Sequence, residues 1–210
     1  MTESGGHGPL LIACALGIER LALRRSGTAD GRVAVLRTGM GPQAAGRAVT
    51  RALRGEREPG GTAVLATGFC AGLLPGMHPG DLVVADETRD ADGRTECAGT
   101  EMLARALRPY GTVHVGPLAG SERIVHGQAR AALHSATSAV AADMESAATL
   151  RAATAGPRRP VAAVRVVVDA PGHELIRPGT LRGGISAFRV LRDIVPAFLE
   201  WHRSLLLPWR

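Results

Sequence analysis

The sequence predicts an α/β fold, a three-layer α/β/α sandwich around a mixed, mainly parallel central sheet. Short, uniformly apolar segments recur along the chain, as in strands buried on both faces. They alternate with helical stretches, the order that parallel strands joined by crossover helices require. Of the 210 residues, 45% are hydrophobic, enough for one substantial core. A single domain is expected over residues 10–210, preceded by a flexible tail over 1–9.

The first strand is the apolar run PLLIACA at 9–15, followed by a helix that opens at Gly17 and runs to about Arg25. VAVLRT (33–38) is the second strand, and Gly39-Met40-Gly41-Pro42 leads into a helix through Arg54, with proline where a helix start tolerates it. TAVLATG (62–68) is the third strand, and FCAGLLPGMHPGD beyond it is too rich in glycine and proline for a helix. DLVVADE (81–87) is a strand, DADGRTE a loop, and 100–107 a helix stopped by Pro109. A strand at 112–118, a short helix ending near His134, a strand at 138–142 and a helix at 144–154 follow. VAAVRVVVDA (161–170) is the most strand-like run in the chain, and a long amphipathic helix over 181–206 should kink or break near Val195, ahead of Pro196.

The formal charge of +6 and pI near 10.7 raise the question of nucleic acid. Every basic residue except histidine is arginine, the arginines are scattered, and aromatics are only 3%, too few for base-stacking platforms. No nucleic-acid partner is expected. Cys14, Cys70 and Cys97 have no paired spacing and fit a reduced, cytoplasmic protein. The histidines show no metal-ligand spacing, so neither a metal nor a cofactor is expected. No apolar run approaches the roughly 20 residues of a membrane span, and no secretory signal is visible at the N-terminus.

Chemistry-bearing residues gather at strand ends, where open α/β sheets place ligands. Glu19 follows the first strand, Gly68-Phe69-Cys70 the third, and Asp143-Met144-Glu145 the strand at 138–142. Arg165 and Asp169 lie in and at the end of the last strand. Each has a purely structural alternative: Glu19 as a solvated first-turn carboxylate, Gly68 as a turn glycine, Asp143 and Asp169 as caps. Arg165 interrupts an apolar run, so its guanidinium needs a carboxylate or a ligand.

Five of these segments, in order and in similar spacing from Leu10 to Asp169, resemble the nucleoside phosphorylase and nucleosidase superfamily. The likeness is to its methylthioadenosine/S-adenosylhomocysteine nucleosidase branch. Ala15-Leu16-Gly17-Ile18-Glu19 resembles "AMxxE", TGMGPQAA "SGIGKxxAA", and TGFCAGL with GDLVVADE the pair "TGSAGGL" and "GDIVVSDE". Asp143-Met144-Glu145-Ser146-Ala147-Ala148 resembles "EMEAxA", and Arg165 to Asp169 resembles "RxISD". The resemblance implies cleavage of a purine N-glycosidic bond. It makes Asp169 the general acid at the leaving base, Glu19 the activator of a water and Arg165 its helper. Glu145 is then the ribose ligand, Met144 the floor beneath sugar and base, and Gly68, Phe69 and Cys70 the neighbouring wall. To be protonated, Asp169 must be desolvated or hydrogen-bonded as the acid. A homodimer or larger assembly is also implied.

Two departures matter. Phosphorolytic relatives carry an arginine and a serine where this chain has Ala66 and Phe69, which favours water as the nucleophile over phosphate. GSERIVHG (120–127) replaces the aromatic that stacks on the base with Arg123, followed by Ile124, which can still read adenine through its backbone. The C-terminal third is most similar to the short phosphorylase-family proteins of hopanoid biosynthesis, which implies a 5′-substituted adenosine with a lipophilic group, adenosylhopane. The tail from Phe188 to Arg210 mixes apolar residues with arginine and ends in LLLPWR, so peripheral membrane contact through it is an expectation. A phosphorylase, a methylthioadenosine or futalosine-type nucleosidase and a non-catalytic nucleoside-binding regulator are the alternatives.

Overall fold

The computed structural model describes residues 8–24, 32–56, 60–172 and 180–205, with side chains in the last stretch from Ser186 onward. The elements run β1 (Leu10–Cys14), α1 (Gly17–Arg24), β2 (Val33–Arg37), α2 (Pro42–Leu53), β3 (Ala63–Gly72), β4 (Leu82–Asp90) and β5 (Gly93–Glu96). They continue with α3 (Thr100–Leu107), β6 (Val113–Gly120), α4 (Gln128–Thr137), β7 (Ala141–Asp143), α5 (Ser146–Thr154), β8 (Val161–Asp169), α6 (Thr180–Asp193) and α7 (Val195–Ser204).

The strands form one mixed sheet in the order β2-β1-β3-β7-β6-β4-β5. β8 lies off this path, parallel to β3 on one side and antiparallel to β4 on the other. The strands β3, β7, β6, β4 and β8 therefore close into a ring. β8 can occupy this position because VAAVRVVVD is apolar on both faces, and all of it but Val168 is buried.

Alternation along β1 shows the layering. Leu10, Ile12 and Cys14 face one core with Ala22 and Leu23 of α1 and Phe198 and Trp201 of α7. Leu11 and Ala13 face the other, with Val49 of α2 and Leu150 and Ala153 of α5. Successive side chains of a strand point to opposite faces, so one strand feeding two cores is the signature of helices on both sides of a sheet.

The structure departs from the sequence reading in four places. β3 does not stop at Gly68 but continues to Gly72, because Gly68 at φ +135° bends the strand without ending it. GRTE, expected as loop, is the edge strand β5, paired to β4 from Glu87 to Asp90. Its residues are polar and mostly exposed, so no hydrophobic pattern marks it. At the N-terminus, residues 1–7 of the expected tail lie outside the described residues. Pro9, also expected in the tail, is tied to the sheet, since its carbonyl accepts the N–H of Ala63.

The fourth departure is the C-terminal tail. The expected break falls at Ile194, between α6 and α7. Leu191, Val195, Phe198 and Trp201 are fully buried in the core, and the Trp201 Nε1–H donates to the Ala98 carbonyl at 2.8 Å. The apolar stripe through residue 201 therefore closes the sheet, and Arg189 and Arg203 point to solvent on the opposite side. Residues 206–210, which carry most of LLLPWR, lie outside the described residues. Among the described residues, no helix is long and apolar enough to cross a membrane.

Candidate active site

The site is built around a bend in β3. Glu19, in the first turn of α1 and only 2% exposed, reaches under that bend. Its Oε2 accepts the N–H groups of Ala15 (2.9 Å) and Leu16 (2.8 Å), and its Oε1 accepts that of Phe69 (2.9 Å). A Cβ on Gly68 would lie 2.4 Å from Glu19 Oε1 and 2.7 Å from Arg165 Nη1. Only glycine leaves room for these two groups to converge beside the strand, and only glycine adopts its φ without strain. The structural alternative of a simple turn glycine thus gives way to one of close approach.

Arg165 lies in β8 opposite Gly68 in register and is 1% exposed. Its Nε contacts Asp143 Oδ2 at 2.5 Å and donates to Ser146 Oγ at 2.9 Å. Asp143 also accepts the Ser146 hydroxyl (2.6 Å) and the N–H groups of Glu145 (3.3 Å) and Ser146 (3.1 Å). It therefore both accepts N–H groups at the start of α5 and is the carboxylate that Arg165 needed. Burial works to lower the Arg165 pKa, but Asp143, then Glu145 and Glu19, more than offset it and raise it. Among the described residues its Nη1 is buried with no hydrogen-bond acceptor.

Glu145 receives the Gly41 N–H on Oε1 at 2.8 Å. Burial pushes its carboxyl above the ordinary range, against the pull of Arg165 and the Gly41 N–H, with Asp143 and Glu19 adding to the rise. Cys70 beside it is no nucleophile at neutral pH, since burial and then Asp143 push its thiol far up.

Eight of the expected residues line one cavity of about 220 Å³: Glu19, Phe69, Cys70, Arg123, Ile124, Met144, Glu145 and Asp169. Gly68 and Arg165 stand behind its wall rather than in it. Apart from the carboxylates its lining is mostly apolar, and Met40 (68% exposed) and Ile124 (74% exposed) stand at it as unusually bare apolar side chains. A larger cleft of about 660 Å³ between α2 and α5, with Arg47, Arg51 and Arg54 on its wall, contains none of the buried carboxylates of this site. The smaller cavity is the candidate active site because it holds the convergent buried polar groups.

Asp169 has a partner the sequence did not reveal. Arg130, in the first turn of α4 and 2% exposed, places Nη2 2.5 Å from Asp169 Oδ2. The sequence reading expected a carboxyl desolvated or hydrogen-bonded as the acid. Asp169 is desolvated, at 6% exposed, and the structure also sets a buried cation against it. In GQARAALHSAT, Arg130 reads as one more helical surface arginine, and nothing in one dimension marks it as buried.

This geometry can bind a polar ligand through carboxylates, exclude water with apolar walls, and present Glu19, Glu145 and Asp169 to one cavity. The chain matches the Phosphorylase superfamily over residues 22–194 and belongs to that family. No curated protein matches it by sequence. Among solved structures it is similar to 5′-methylthioadenosine/S-adenosylhomocysteine nucleosidase from Neisseria meningitidis in complex with methylthio-immucillin-A, with a TM-score of 0.73 and 21% identity. That match covers 89% of this chain and 98% of the other. S-adenosylhomocysteine nucleosidase from Streptococcus pyogenes in complex with 5-methylthiotubericidin gives a TM-score of 0.74 and 21% identity, covering 93% and 97%. Futalosine hydrolase of Helicobacter pylori gives a TM-score of 0.74 and 15% identity, covering 92% and 98%. At these identities the likeness establishes the fold, an α/β sandwich with a mixed central sheet.

Proposed function

We propose that this protein hydrolyses the N-glycosidic bond of a 5′-substituted adenosine, releasing adenine. The observation that carries the reading is Glu19 and Arg165 Nη1 converging beside Gly68, with N–H donors on Nη1 that no acceptor among the described residues satisfies. A water held between them donates to Glu19 Oε1 and accepts from Arg165, which orients its lone pair. The oxygen attacks C1′ of the ribose and passes a proton to Glu19. The C1′–N9 electron pair leaves with the base, which takes a proton at N7 from Asp169. Glu145 accepts hydrogen bonds from the ribose hydroxyls. Two separated carboxylates with opposite proton duties parallel inverting sugar hydrolysis. The resemblance of the C-terminal third points to adenosylhopane, and the exposed Met40 and Ile124 suit a lipophilic 5′ group better than a charged one. The reading carries with it the homodimer or larger assembly of the family resemblance, which sedimentation equilibrium measures.

The test is incubation with adenosine and 5′-alkylthioadenosines of increasing chain length, in buffers with and without phosphate. Free adenine and a free ribosyl sugar are expected in both buffers, with longer alkyl groups preferred. A ribose 1-phosphate as the main product, identified by mass spectrometry, would turn the assignment to phosphorolysis. Absence of adenine release from every member would remove it altogether.

Glu145 gives this reading a pH signature. Ribose hydroxyls donate to the charged carboxylate, and the Glu145 pKa lies above the ordinary glutamate value of about 4.3. As pH falls, the site therefore takes up its proton before a surface glutamate would. KM should rise on the acid side starting at a pH above that ordinary range. In Glu145→Gln, KM should be high throughout and lose this acid limb. An acid limb that persists in the variant would assign it to another group.

A further inference from the structure

Arg130, the cation of the buried pair with Asp169, has no role in the mechanism above. Asp169 lines the cavity, whereas Arg130 does not. Arg130 Nη2 sits 2.5 Å from Asp169 Oδ2, yet neither its Nε nor its Nη2 makes an aligned hydrogen bond to any described residue. A buried guanidinium left short of acceptors is costly, and a merely structural arginine is normally better satisfied. This one stands on the first turn of α4, directly after the loop that carries Arg123, Ile124 and Val125 along the cavity.

We propose that Arg130 is a positioning residue for Asp169. It holds one carboxyl oxygen from behind the wall and stabilises the negative charge that grows on Asp169 as its proton passes to the leaving base. The contact is most favourable once that proton has left, so it strengthens from ground state to transition state. Interactions of that kind raise kcat rather than lower KM. Its position also ties the acid to the loop lining the base end of the cavity, so a shift of α4 would misalign Asp169. The inference rests on the assignment of Asp169 as the leaving-group acid.

The experiment compares Arg130→Met, Arg130→Lys, Asp169→Asn and the double variant Arg130→Met/Asp169→Asn with the intact protein. Two substrates are used: the 5′-alkylthioadenosine cleaved fastest, and 4-nitrophenyl riboside, whose leaving group needs no proton. Arg130→Met should lower kcat on the adenosine substrate by about tenfold or more, as expected for loss of a charge-assisted contact, with KM close to that of the intact protein. Arg130→Lys should recover most of the rate. Nitrophenyl riboside should be cleaved nearly as fast by Arg130→Met as by the intact protein, which also shows that the variant is folded. Added to Asp169→Asn, Arg130→Met should cause no further loss. Equal losses on both substrates, or independent losses in the double variant, would overturn the proposal while leaving the nucleosidase reading in place. An intact protein that releases no adenine would overturn both.

Discussion

Asp169→Asn should slow adenine release by about 10²-fold or more, the lower end of what a positioned general acid contributes. The amide keeps the shape of the carboxyl but has no acidic proton to give to the purine N7. Single-turnover adenine release measures the loss, and adding Arg130→Met to Asp169→Asn should lower the rate no further. Adenine release near the wild-type rate in Asp169→Asn would take this residue out of the mechanism.

Arg165→Met should be the most destabilising single substitution in the site. The guanidinium is in contact with Asp143, and Glu145 and Glu19 also act on its charge. Methionine fills much of the volume but leaves these buried carboxylates without their common cation. Breaking a buried pair in this way costs about 3–5 kcal/mol, a large share of the total stability of a domain. Urea unfolding at neutral pH measures the loss. Acid should narrow the gap between variant and wild type, because protonated carboxyls need no counter-ion. A loss close to zero would mean that water, rather than Arg165, balances these charges.

The residues whose chemistry is local were legible in the sequence. Arg165 announced itself because a charge inside VAAVRVVVD has no innocuous explanation, and Glu19 and Glu145 stood at the ends of apolar runs. The three-layer fold followed from runs such as PLLIACA, whose alternate residues feed two cores. What escaped depended on contacts between distant segments. Arg130 and Asp169 are far apart in the chain, and α4 has an ordinary composition with arginine in an ordinary place. β5 escaped because an exposed edge strand needs no apolar face. The continuation of β3 past Gly68 escaped because glycine marks both a turn and a bend. For the C-terminal stripe, amphipathicity gives the apolar side of a helix but not what covers it, and through Trp201 it is α3 and the sheet that do.

The ring formed by β3, β7, β6, β4 and β8 has a consequence for the order in which the molecule acquires its charges. β8 is the last strand among the described residues, yet it is the one that joins β3 to β4. Pairings this distant in sequence close large loops and form slowly. Glu19, Asp143 and Glu145 all precede β8, so during synthesis and refolding three acidic groups must wait for the cation that lets them share one interior. Collapse of the earlier strands alone would bring like charges together in a low-dielectric space. Mutual repulsion keeps that half-formed pocket open and hydrated until Arg165 arrives. The last strand thus delivers both the final backbone pairings and the counter-ion, and no partly folded chain carries a finished site.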